Sequence, residues 1–113
     1  MIVCVNVSPD GRVGGGWGKA PRVAVAEVSD GRVVRWDEHA VEWDRLHDEG
    51  GEGSHHARIV RFVREHGAEV VVTGHMGPPM QTTMAKLGLQ VVLGATGDAR
   101  AAAVAAAASA SGD

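Results

Sequence analysis

An α/β fold on a mixed five-stranded sheet, with elements in the order β-β-β-α-β-α-β-α, is what three features of the sequence predict. Up to His39 the chain holds three β-rich runs joined by glycine-rich or Asp-Gly turns. Beyond the polar stretch that follows, short apolar runs alternate with segments of helical spacing, the pattern of crossover connections between parallel strands. The length, 113 residues, fits one compact domain over 1–113 and is too short for two cores.

The first run, "IVCVNV", is β-branched and apolar on both faces, so it reads as a buried central strand. "SPDGR" then carries turn chemistry, with Ser8 and Asp10 making the turn. After "VGGGWGKAP" come "RVAVAEV" and "VVRWDEH", joined by "SDGR", and two short β-rich runs around Asp-Gly are a hairpin signal. The three runs should be antiparallel, because short turns cannot join parallel neighbours. From residue 40 to 53 periodicity is lost, which predicts a loop with one short helical turn.

Ser54 can cap the next element, and Ile59, Val60 and Val63 recur at helical spacing, so a helix is expected over about 54–66, closed by Gly67. "AEVVVTG" is a short buried strand, "PPMQTTMAKLG" a helix opened by proline and closed by glycine, and "LQVVLG" a further strand. Asp98 caps a last helix in which nine of residues 99–110 are Ala; alanine's helix propensity explains that docked helix without a function. Residues 108–113 are expected to fray. Trp17, Trp36 and Trp43 are expected to cover sheet edges, while Met80, Met84 and Leu87 are spaced as core.

Hydrophobic residues at 44% and charged residues at 22% are ordinary globular usage. A formal charge of −3 and the lack of a Lys/Arg cluster interleaved with aromatics argue against nucleic acid as a partner. No run reaches the length of a membrane span, and "MIVCVNV" lacks the basic start of a secretory signal, so a cytoplasmic location is expected. With Cys4 as the single cysteine, neither an intrachain disulfide nor an all-cysteine metal site can form. A buried small hydrophobe is the default for Cys4, with a cluster thiolate as the alternative if its strand end reaches the site.

The chemistry concentrates in two places. "TGHMGPP" lies beyond a parallel strand, where open α/β sheets bind ligands. Gly74 and Gly77 allow a sharp turn and close approach, and His75 and Met76 sit at its mouth. "HDEGGEGSHH", residues 47–56, packs three histidines and three carboxylates around three glycines just before the predicted helix. On the helical wheel His56 should fall at the core-side rim and His55 to the side, near Phe62. His47, His55, His56 and His75 are therefore the candidate metal ligands. Imidazoles with carboxylates suit zinc, iron, nickel or copper, and Met76 or Met80 would favour softer metals.

Residues 70–102, "VVVTGHMGPPMQTTMAKLGLQVVLGATGDARAA", resemble the strand, "GGMGP"-type turn, helix, strand and helix of the dinitrogenase iron-molybdenum cofactor biosynthesis family, similar to NifX and the C-terminal part of NifB. "GGWGKAPRVAVAEV", residues 15–28, resembles that family's "HFGRAP" turn and second strand. The chain departs from the pattern at His75, where a second glycine is usual, and at Gly16 and Trp17, which stand where "HFG" begins. The resemblance implies a ribonuclease-H-like sheet and a site at Trp17, Gly74, His75, Met76 and Gly77 for a metal ion or an iron-sulfur-type cluster. It also implies donor and acceptor proteins. A carboxylate cluster for nuclease chemistry is not apparent.

The function expected is a non-catalytic carrier or scaffold for an iron-sulfur or iron-molybdenum cofactor precursor. One alternative is a mononuclear metal enzyme with histidine ligands and Glu49 or Glu52 as general base. A metal-free protein-interaction module is the other.

Overall fold

The computed structural model describes the backbone of residues 1–111 and the side chains of all of these except Glu52 and Ser111. The strands are β1 (Ile2–Asn6), β2 (Val23–Ser29), β3 (Arg32–His39), β4 (Val70–Val72) and β5 (Gln90–Val92). The helices are α1 (Trp43–Leu46), α2 (Gly51–Glu65), α3 (Pro78–Lys86) and α4 (Ala99–Ser111), with a 3-10 turn at Trp17–Lys19. Relative to the sequence reading, the structure adds that turn and makes the short helical turn of the polar stretch a distinct helix, α1.

The five strands lie in the order β3-β2-β1-β4-β5. β1 pairs antiparallel with β2, as does β2 with β3, whereas β1–β4 and β4–β5 are parallel. The centre falls to β1 because Val3, Cys4 and Val5 are fully buried, so both of its faces are covered by apolar neighbours. The β2–β3 hairpin closes on Asp30 and Gly31 with φ of 53° and 77°. Both left-handed conformations are those of the tight turn whose twist matches paired strands. A register shift at Glu27/Val28 leaves Val34 unpaired, and this residue is 52% exposed on the edge strand.

The sheet is covered on both faces. Against one, Ala99, Ala103, Ala106 and Ala107 of α4 pack on Val3, Val5, Ala24, Ala26, Val70 and Val72. Against the other, Ile59 and Val63 of α2 and Met80 and Met84 of α3 pack on Cys4, Val23 and Val71, together with Trp17 and Trp43. These two tryptophans are thus core residues rather than edge covers. Trp36 does lie on the edge strand, under the Arg100 guanidinium 4.7 Å from its ring centre.

α2 begins at Gly51, three residues before the start expected at Ser54, and Ser54 makes no capping hydrogen bond. Gly50, at φ 79°, reverses the chain after the turn that follows α1, so the helix starts at the glycines and has no side-chain cap. Asp98 does cap α4, its Oδ2 accepting from the Ala101 amide at 2.9 Å. α4 is helical through Ser111, and residues 112–113, the end of the segment expected to fray, lie outside the described residues. No helix among the described residues is long and apolar enough to cross a membrane.

Candidate metal-cargo cleft

Where β1 and β4 end side by side, the chain leaves through two glycine-rich loops that are locked together. Asn6, buried at the end of β1, donates from Nδ2 to Gly16 O (3.0 Å) and to Thr73 Oγ1 (3.3 Å). The Thr73 hydroxyl donates in turn to Gly15 O at 3.2 Å. Main-chain bonds complete the lock: the Gly74 amide donates to Gly14 O (3.1 Å), that of His75 to Gly15 O (2.7 Å) and that of Trp17 to His75 O (2.9 Å). A Cβ at Gly14 would collide with the Asn6 side chain, and one at Gly74 would lie 3.0 Å from the carbonyl oxygens of Gly14 and Gly15. Glycine is required here by close approach, to the Asn6 side chain at Gly14 and to the facing backbone at Gly74.

The lock drives Trp17 into the core, where its ring meets Trp43 edge-on at 5.2 Å, and Trp43 meets Phe62 likewise at 5.5 Å. Trp17 Nε1 is buried without a hydrogen-bond partner, a cost tolerated because the large ring fills the space under α1 and α2. At Gly18, directly after Trp17 in the chain, opens a cleft of about 470 Å³. His47, Asp48, His55 and His56 form one wall, and Gly77, Pro79 and Met80 at the start of α3 form the other.

The three histidines of the cleft differ in what they can offer. His55 is 4% exposed and uses both ring nitrogens. Nδ1 lies 2.8 Å from Arg58 Nη1 and Nε2 lies 2.6 Å from Gly18 O. A guanidinium can only donate, so Nδ1 accepts, Nε2 carries the proton and donates to the carbonyl, and the ring is neutral. Arg58 also donates to Leu46 O at 3.2 Å, tying α1, α2 and the Trp17 loop into one wall. His47 places Nδ1 3.1 Å from Asp48 Oδ1 and leaves Nε2 open. His56 is half-buried and has no hydrogen-bond partner among the described residues.

Three of the four candidate ligands, His47, His55 and His56, line one cleft, and two expectations about placement are corrected. His55, expected at the side, occupies the buried face with Ile59 and Val63, and His56 takes the more open position. His75 is exposed and does not line the cleft; the lock consumes its backbone and turns it to the outside of the turn. Of the residues implied by resemblance, Gly77 borders the cleft, Gly74 and His75 belong to the lock, and Met76 and Trp17 are buried beneath it.

No group of three or more His, Cys, Asp or Glu residues among those described is arranged to hold a bare metal ion. Burial pushes the Cys4 thiol up to about 12, so it sits in the core as a neutral thiol. Glu49 is exposed and pairs with Arg45 at 3.6 Å, away from the cleft, and the Glu52 side chain lies outside the described residues. Sequence reading missed Asn6, Arg58 and Thr73 as the residues that hold the site. A polar Asn in an otherwise apolar strand, and an Arg one turn after His55, were the available signals.

No curated protein matches the chain. Solved structures share the fold: PH0822 at 21% identity and TM-score 0.69, over 90% of this chain and 84% of that one, and the apo form of the orange protein from Desulfovibrio gigas at 18% and 0.72, over 92% and 83%. The sequence profile of the dinitrogenase iron-molybdenum cofactor family matches residues 1–110, and the chain belongs to that family.

Proposed function

We propose that this protein is a carrier or scaffold that binds a metal cluster, or the precursor of one, in the cleft lined by His47, His55 and His56 and hands it to an acceptor. Family membership supports a metal-cluster cargo in general. The observation that carries the finer reading is the mismatch between the size of the cleft and its donors. About 470 Å³ is the volume of a small-molecule site, far more than one ion fills. Yet with no three-ligand group present, a bare ion would be under-coordinated. A cluster that brings most of its own ligands needs only an anchor or two and a fitted wall.

In this reading His47 Nε2 and His56 are the anchors and the Met80 thioether a soft contact. His55 is a positioning residue: through Gly18 and Arg58 it fixes the wall on which His47 and His56 stand. The strand order β3-β2-β1-β4-β5 supports the ribonuclease-H-like assignment, a scaffold that by itself implies no nuclease chemistry. Donor and acceptor proteins in the cytoplasm belong to the same reading.

The test is anaerobic reconstitution with iron, sulfide and molybdate, followed by elemental analysis and visible absorption. Wild type should retain coloured cargo, His47→Ala and His56→Ala should each lose most of it, and His75→Ala should keep it. One zinc, nickel or iron per chain without cluster absorption would instead support the mononuclear enzyme. Absence of metal under every condition would support the interaction module.

A further inference from the structure

The sheet has two edges of unequal reach. β5 ends one side with three residues, whereas β3 ends the other with eight, and among the described residues no strand pairs with the outer side of β3. A free edge of that length presents unpaired amides and carbonyls to any strand of matching register. Val34 adds an apolar side chain to it; with Leu93 it is one of the two exposed large hydrophobics among the described residues. The bulge falls at Val34, and residues 35–39 pair regularly with β2, so this half of the strand can carry a second ladder.

Charge is divided along β3. Arg32 and Arg35 occupy its first half, Asp37 and Glu38 its second. In a two-fold antiparallel pair of identical strands, facing residues share a side of the sheet, so the axis must pass through a residue. Centring on Arg35 sets guanidinium against guanidinium, centring on Asp37 or Glu38 sets carboxylate against carboxylate, and centring on Val34 runs the ladder through the bulge. Centring on Trp36 sets Arg35 of each copy against Asp37 of the other, twice, with Val34 facing Glu38. Within one chain Arg35 and Asp37 lie 3.0 Å apart with both side chains more than half exposed. So exposed a pair contributes little by itself and is readily shared with a second copy.

We infer that the β3 edge is a self-association surface, on which two copies of this chain join antiparallel about Trp36 through main-chain bonds and reciprocal pairs of Arg35 with Asp37. A second copy fits because the strand is its own electrostatic complement, and two-fold pairing of one patch closes the assembly at a dimer. A ladder over residues 34–38 is at the low end of interface sizes, so the dimer is weak and concentration-dependent. No β3 residue lines the cleft of His47, His55 and His56, and the inference stands apart from the cargo reading.

Tag-free protein would be followed by sedimentation equilibrium up to about 1 mM chain, where wild type is expected to show a monomer–dimer equilibrium. Arg35→Glu sets carboxylate against Asp37 of the second copy, and Asp37→Arg sets guanidinium against its Arg35. Each variant alone should therefore associate about tenfold more weakly, whereas an equimolar mixture of the two should regain the dimer as a heterodimer. In wild type, amide exchange within β3 should slow as concentration rises while that of β5 stays unchanged. A wild type that is monomeric throughout, single variants that dimerise undiminished, a mixture that regains nothing, or exchange in β3 that ignores concentration would each overturn the inference.

Discussion

The two faces of the sheet are built from different materials. Beneath α4 the core is valine and alanine throughout, with alanines of the helix laid against small residues of β1 and β2. Beneath α2 and α3 it contains two tryptophans, three methionines, the single cysteine and a buried histidine. Small side chains let a helix lie close to the sheet. Large ones hold the helices off the sheet, and the space that opens at the strand ends, between α2 and α3, becomes the cleft. Hollows occur beside α4 as well, but the one lined by histidines lies on the bulky face.

The strongest way to break this contrast is to remove bulk from the crowded face. Trp43→Ala should cost about 3–5 kcal/mol, read from urea denaturation, since it deletes a buried ring packed edge-on against both Trp17 and Phe62. Alkali is the next lever, because burial raises the Cys4 thiol from the ordinary 9.0 to about 12 in the folded protein. The unfolded chain then releases its proton first, so stability is full below pH 9.0 and falls as pH climbs toward 12. Over that window wild type should lose stability relative to Cys4→Ala, and a constant difference between the two would contradict the buried neutral thiol.

The small-residue face should fail in the opposite sense. Ala103 is fully buried on α4, so Ala103→Leu overpacks it and should cost about 1–3 kcal/mol while leaving His47 and His56 in place. A reconstituted Ala103→Leu protein that lost its cargo outright would show that the two faces are coupled. The smallest effect on stability belongs to the anchors themselves. His47→Ala and His56→Ala should stay within about 0.5 kcal/mol of wild type in thermal melts while each losing most of the cargo. A large drop in stability would mark them as structural.

Much of the architecture was legible because it rests on local chemistry. Asp30-Gly31 between two valine-rich runs gave the hairpin, Pro78 and Gly88 bracketed α3, and Asp98 announced α4. The start of α2 was not legible from Ser54, since a glycine in left-handed geometry at position 50 reversed the chain earlier. The wheel put His56 inward, and the structure buries His55 instead. Both lie at helical spacing from Ile59 and Val63, and only the Gly18 carbonyl and Arg58, waiting on either side of the imidazole, drew His55 inward.

By itself the sequence determined the order and kind of elements, the mixed sheet, and the gathering of imidazoles and carboxylates ahead of α2, because patterning, turn residues and caps act over a few residues. Tertiary structure alone decided which of those groups face a common space. The lock of Asn6, Thr73 and the two glycine loops turned His75 away, buried Trp17 and left His47 and His56 at the rim. These are contacts between residues up to 67 positions apart, and no local rule encodes where such partners meet.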